Sequence, residues 1–259
     1  MSISKSLLVL SLLVLFMFSS TVIAEPLKRY CPDKAREAVK TIEDPLEAAD
    51  ILDLAWLNEE AVAVLEGVDD RNAEVLWRLA RSRVNIGENL PEKEAEPFYE
   101  QAYEEAKAAV EKDDTIADAH LMVAIAAGRM ALMRGPFKAS GLVKEGRRHA
   151  LLAVTLSDSI PAAQYVLGRT HKKLMEKSGL ARKVAGLSFA SNDSVSYYFD
   201  KSIEISHGNM ISCYVEYGDF LLKHDDKEKA KEMLEKALEL PLRDEQDKKN
   251  QDRAIELLK

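Results

Sequence analysis

The stretch "SDSIPAAQYVLGRTHKKL", residues 157–174, decides how this chain folds, because it has a counterpart upstream. Residues 113–130, "DDTIADAHLMVAIAAGRM", carry the same order of small, polar and apolar positions. Two further stretches align with this pair, "DDRNAEVLWRLARSRV" from Asp69 and "SHGNMISCYVEYGDFL" from Ser206. The four starts lie 44, 44 and 49 residues apart. Each opens on small or acidic residues suited to a helix N-cap and runs into apolar residues at i, i+3, i+4 and i+7. Before each junction another helix ends on a shared pattern, in "AAVEKDD", "LAVTLSD", "KSIEISH" and "KALELPL". The small residues there, Ala109, Ala153, Ser202 and Ala237, let two helices of a hairpin approach closely.

Helix pairs recurring at a fixed period predict an α-solenoid. Chance alignment of unrelated helices does not account for two equal 44-residue intervals that share an exit pattern. The fold class expected is all-α, a tetratricopeptide-like α-solenoid of stacked hairpins with extended repeats of about 44 residues. The last unit comes nearest the standard repeat, through Tyr214, Tyr217, Gly218, Leu221, Ala230, Leu234, Ala237 and Pro241. In the earlier units the extra length is expected between the two helices. It falls in "GENLPEKEAEP" (87–97), "RGPFKASGLVKEG" (134–146) and "SGLARKVAGLSFASNDS" (178–194). Insertions at one place in successive repeats map to one face of a solenoid, the face expected to bind.

Residues 1–26, "MSISKSLLVLSLLVLFMFSSTVIAEP", differ from the rest. Lys5 precedes an apolar run from Leu7 to Phe18, and Val22-Ile23-Ala24 closes it with a small-residue exit. That layout is a signal peptide over 1–24, leaving 25–259 as a single helical-repeat domain in the periplasm or another extracytoplasmic space. The alternative is an uncleaved membrane anchor formed by residues 7–24, which is near the lower limit for spanning a bilayer. Nothing after residue 24 is long and apolar enough to span a membrane. The two cysteines, Cys31 and Cys213, carry no metal spacing, and two thiols are preferred over a bond between them.

The chain contains none of the common hydrolase, zinc-protease or nucleotide-binding motifs. Its histidines, His120, His149, His171, His207 and His224, form no i, i+4 pair, and His120 reads as a packed, hydrogen-bonded imidazole. Trp77 reads as a knob in the core, and acidic runs such as "EKEAEPFYEQAYEEAK" read as solvated helix faces. The chain is therefore expected to be no enzyme, with no cofactor and no metal site. A net charge of −8 argues against nucleic acid as a partner.

Charge is unevenly distributed along the chain. Residues 129–187 hold twelve Lys or Arg against Glu145, Asp158 and Glu176, a local +9. Lys144, Arg147, Arg148, Lys172, Lys173, Arg182 and Lys183 are the expected surface for an anionic partner. The opposing reading pairs these side chains with the acidic ends of the protein or with water.

From about Glu74 to Lys259 the chain resembles the regulator of microtubule dynamics family. The residues carrying the likeness are "LWRLARS" (76–82), "AHLMVAIAAGR" (119–129), "LLAVTLSDSIPAAQYVLGR" (151–169) and "YGDFLLKHDDKEKAKEMLEKALELP" (217–241). The tail "RDEQDKKNQDRAIELLK" (243–259) fits the family's closing helix. Leu121-Met122 and Thr170-His171 depart from it, standing where the family tends to carry Trp, and the insert 178–194 follows it loosely. The resemblance implies a tetratricopeptide-like fold and a scaffolding role. An exported chain would meet no microtubules, so the leading expectation is a non-catalytic scaffold that holds another protein through an acidic segment. One alternative is a binding component for an anionic ligand or envelope polymer, as an accessory of transport. A further alternative is the microtubule role in the family's name, should the source be eukaryotic. N-terminal sequencing separates the two readings of the leader. A chain beginning at Glu25 means cleavage after Ala24, whereas Met1 in the membrane fraction means an anchor.

Overall fold

The computed structural model describes residues 32–134, 136–243 and 245–259, and the leader and Cys31 lie outside them. Every regular element among the described residues is a helix. Three come first among the described residues: α1 (Pro32–Val39), α2 (Pro45–Leu54) and α3 (Asn58–Glu66). Four hairpins follow: α4 (Ala73–Glu88) with α5 (Glu92–Lys112), and α6 (Ala117–Met133) with α7 (Pro136–Leu156). Next, α8 (Pro161–Met175) pairs with α10 (Asn192–Ile205) across a short helix α9 (Gly179–Val184). Then α11 (Ile211–Leu222) pairs with α12 (Lys227–Glu239), and α13 (Glu245–Leu257) closes the chain. None of these helices is long and apolar enough to cross a membrane.

Small residues hold the expected register. The first helices of the four hairpins start at residues 73, 117, 161 and 211. Their eighth positions are Ala80, Ala124, Gly168 and Gly218. A Cβ on Gly168 would lie 2.9 Å from the Phe199 ring, and one on Gly218 would lie 2.7 Å from Leu234 Cγ. The helices thus touch where a side chain is missing. On the second helices, Ala109, Ala153, Ser202 and Ala237 are fully buried, as their sequence position implied. Three of them also accept the amide closing the helix end, from Asp113, Ser157 and Ser206 at 2.9, 2.9 and 3.0 Å.

Packing between neighbours builds the core. One buried cluster joins α2 and α3 to α4 through Leu52, Leu65, Val75 and Leu79. A second runs from Ala80 and Tyr99 through Leu121 and Val123 to Ala153 and Ala163. A third gathers Phe199, Ile211, Tyr217, Leu234 and Ala254 at the C-terminal end. Trp77 is buried, and its indole N–H donates to Glu74.

Two expectations need correction. The N-caps are not the polar residues that open each aligned stretch. Ile116, Ile160 and Met210 hold the cap positions with no side-chain hydrogen bond, and of these four helices only the first has a side-chain cap, Asn72 accepting from the Val75 amide at 3.1 Å. Asp113 instead folds its carboxylate onto the Thr115 amide, forming a turn before the helix. Second, the added length in the first two units is no loop. It lengthens helices, so α5 and α7 reach 21 residues each, because runs such as "EKEAEPFYEQAYEEAK" are rich in strong helix formers. Only the third insert stands apart, as α9, capped by Ser178 and followed by Gly186 at φ +67. Beyond the aligned units, α2 and α3 form a hairpin ahead of the first one.

Two glycines should respond oppositely to alanine. Gly128 lies in α6 with open space where a Cβ would stand, so Gly128→Ala should add about 0.5–1 kcal/mol of helix stability. Gly218→Ala should lose about 1–3 kcal/mol net, because Leu234 and the Ala230 carbonyl at 3.3 Å block the new methyl. Urea unfolding of both variants checks the register, and equal shifts would refute it.

Candidate functional site: the inner wall

The first helices of successive hairpins touch one another, α2 on α4, α4 on α6, α6 on α8 and α8 on α11. No comparable contact joins successive second helices among the described residues. The first helices therefore line the inner wall of the solenoid. Three linked groups of charged side chains stand on that wall.

At the N-terminal end, Arg78 Nε and Arg81 Nη2 donate to Asp50 at 3.0 and 2.7 Å. Ser82 Oγ donates to Asp53 at 2.8 Å. Both guanidinium groups lie over the Trp77 ring, 4.3 and 5.1 Å from its centre. In the middle, Glu88 of α4 pairs with Arg129 of α6. Toward the C-terminal end, Arg169 of α8 stands 3.9 Å from Glu216 of α11.

Lys172 is the centre of the last group. It is 2% exposed, and its ammonium donates to Glu216 Oε2 and Asp219 Oδ2, each at 2.5 Å. Arg253 of α13 covers the same carboxylates, with Nη1 on Glu216 at 2.9 Å and Nη2 on Asp219 at 2.8 Å. Burial by itself would raise the Glu216 pKa, but Lys172 and Arg169 outweigh it and hold the group at about 2. Asp219 is likewise held below its ordinary value, the cations around it outweighing its burial.

A second polar chain crosses the α6–α7 hairpin. Arg148 donates to His149 Nε2 at 2.7 Å, and His149 Nδ1 meets His120 Nδ1 at 2.7 Å. His120 Nε2 reaches the Asp114 carbonyl at 2.9 Å. One assignment satisfies all three: His149 carries its proton on Nδ1, and His120 carries its proton on Nε2. Both rings are buried and hydrogen-bonded, the role read for His120 from the sequence. Burial, aided by Arg148, lowers His149 to about 4. Burial, aided by Arg147, does the same to His171.

The structure divides the seven basic residues expected to form one surface. Lys172 is not on a surface; it faces the inner wall, neutralised by two carboxylates because an unpaired buried ammonium would be too costly. Lys144 and Arg147 of α7 do approach the third insert. The Lys144 ammonium sits at the Gly186 turn, and Arg147 stacks 4.4 Å over the Phe189 ring. Arg182 of α9 turns back onto the Met175 sulfur, and Lys183 is exposed. Lys173 is exposed beside Glu176, at 3.3 Å. Arg148 is exposed and tied to His149. Much of the local +9 is spent inside the fold, since Arg129, Arg134, Arg169 and Lys172 pair with acids from outside residues 129–187. The sequence reading missed Glu88, Glu216, Asp219 and Arg253. A clue was available, since Glu216 and Asp219 share one helix face, 44 and 47 residues after Lys172.

Stacked hairpins with an inner wall of first helices define a tetratricopeptide-like α-solenoid. The fold matches that of a thermophilic TPR protein of Thermus thermophilus, with a TM-score of 0.59 at 14% identity, over 83% of this chain and 97% of that one. The family described as Regulator of microtubule dynamics protein 1-3 matches residues 46–259, and the chain belongs to it. Regulator of microtubule dynamics protein 1 of Bos taurus is 28% identical over 237 residues, which is 87% of this chain and 74% of the relative. Regulator of microtubule dynamics protein 3 of Rattus norvegicus is 32% identical over 117 residues, 45% of this chain and 25% of the relative.

The charge group at Lys172 generates a stability prediction. Lys172→Met should cost about 3–5 kcal/mol, because it strands two buried carboxylates. The parent should also weaken in acid, in two stages. His149 and His171 have folded values below the ordinary 6.5, so the stability they add is present above that value and lost as pH falls toward 4. The Glu216 contribution is complete above its ordinary 4.5 and is lost as pH falls toward about 2. Urea midpoints at pH 7, 4 and 2.5 should fall in that order, and a flat profile would contradict both assignments.

Proposed function

We propose that the chain is a non-catalytic scaffold that binds another protein and acts on microtubule dynamics, as the name of its relatives implies. One observation supports this reading above the others. The family match runs from Leu46 in α2 to the end of the chain, so it takes in every charged group of the inner wall from Asp50 to Arg253. A solenoid of this kind presents an extended surface to one partner, not a closed pocket to a small substrate.

This reading favours the microtubule alternative over the extracytoplasmic scaffold expected from the leader. It is compatible with residues 7–24 acting as an uncleaved anchor that leaves the solenoid on the cytosolic side. It gives no role to an envelope polymer. An anionic ligand at Lys144, Arg147, Arg182 and Lys183 would be a secondary use of the outer face.

Pelleting with polymerised tubulin tests the proposal. Purified residues 25–259 should move into the pellet with polymer at about 10 μM and stay in solution with unpolymerised tubulin. A chain that stays in the supernatant at that polymer concentration would overturn the microtubule target.

A further inference from the structure

The closing helix reaches far back along the solenoid. Gln246 Nε2 donates to the Glu88 carbonyl at 3.0 Å and to Asn89 Oδ1 at 3.3 Å, at the end of α4 in the first aligned hairpin. Lys249 Nζ lies 3.5 Å from the same Asn89 oxygen. Two turns beyond Gln246, Arg253 spans Glu216 and Asp219 on α11 in the last hairpin. Gln246, Lys249 and Arg253 stand at i, i+3 and i+7, one face of a helix about 10 Å long. In each of these five contacts α13 supplies the donor and the wall supplies the acceptor.

The attachment is largely polar. Of the three apolar residues of α13, Ala254 is fully buried, Leu257 packs partly buried against the C-terminal cluster, and Ile255 is 46% exposed. Gln251 adds a tether by donating to the Ala237 and Leu240 carbonyls at 2.9 and 2.8 Å, at the end of α12. A helix with few buried apolar contacts opens at a lower cost than the core it rests on. Beneath it, the buried Lys172 ammonium donates to the same two carboxylates, Glu216 and Asp219. The acceptors therefore belong to the wall and have a cation of the wall to hold them besides the one α13 brings.

We infer that the channel between α4 and α11 is a docking surface for a basic α-helix of the partner, and that α13 is a resident occupant that the partner displaces. The entering helix carries Arg or Lys where α13 has Lys249 and Arg253, and bridges Glu216 and Asp219 with a guanidinium. Arg suits this better than Lys, because its planar fork serves two carboxylates at once. The inference rests on the scaffold reading above but not on the identity of the target.

A labelled peptide of residues 245–259, added to the full chain, tests it by fluorescence anisotropy. In the parent the tethered α13 competes at high effective concentration, so the peptide should bind weakly. Arg253→Glu in the chain removes the resident contact but leaves the wall intact. The unaltered peptide should then bind at least tenfold more tightly, and a peptide carrying the same R253E change should not. Equal binding to both chains, or to neither, would overturn the inference. Should the variant fail to fold, hydrogen exchange of the parent decides the matter. Amides 249–257 should exchange at least tenfold faster than those of α11, and faster still with excess peptide. Protection equal to that of α11, or unmoved by peptide, would refute displacement. Peptide binding without tubulin pelleting would leave the channel standing and remove only the microtubule target. Pelleting without peptide binding would place that target elsewhere on the protein.

Discussion

Everything in this fold depends on the close approach of two helices at a position that carries almost no side chain. Gly168 against Phe199 and Gly218 against Leu234 leave no room for a methyl group, and Ala80 and Ala124 hold the same register as buried residues. A glycine inside a helix costs about 0.5–1 kcal/mol relative to alanine, so its use here must be offset by the contact it permits. That contact fixes the angle within each hairpin. Repeating it at the same register sets successive hairpins at similar angles, which gathers the first helices onto one wall.

The wall is where burial and charge meet. Placing Lys172, Glu216 and Asp219 together out of water gains little net stability, because desolvating the ions offsets most of their attraction. Well-packed apolar side chains would hold α8 to α11 as firmly. What the ionic group adds is direction, since carboxylates held by Lys172 accept only donors that arrive with the right geometry. Asp50 and Asp53, held by Arg78, Arg81 and Ser82, repeat the device at the other end of the wall. The solenoid thus carries fixed acceptors at both ends of one surface, consistent with a molecule that recognises a partner.

The fold was legible because its determinants are local and repeated. Period, small residues at helix crossings and apolar stripes all appear as spacing along the chain, and Ala109, Ala153, Ser202 and Ala237 read correctly from spacing alone. The hairpin α2–α3 escaped because its helices are short, 10 and 9 residues, and lack the aligned pattern. The caps misled for a physical reason: Asp113 offers a good capping side chain, but its own turn with Thr115 consumes it, and the chain enters the helix at an apolar residue that packs. The site was barely legible. Pairings such as Lys172 with Glu216 and Gln246 with Glu88 span 44 and 158 residues and exist only once the hairpins are stacked.

The basic stretch shows why charge read along a sequence differs from charge presented in space. Residues 129–187 look like a face awaiting an anion, yet several of its cations are paired with Glu88, Glu96, Glu216 and Asp219, which lie outside that stretch. The segregation of charge is therefore largely complementarity between repeats. Basic central units are bound to acidic flanking ones, so their order along the solenoid is specified electrostatically as well as by shape. Arg253 belongs to the same scheme but differs in position, being 39% exposed on a helix with little apolar anchorage. A cation buried within the stack serves the stack, whereas one lying over it on a detachable helix occupies a place that another molecule can take.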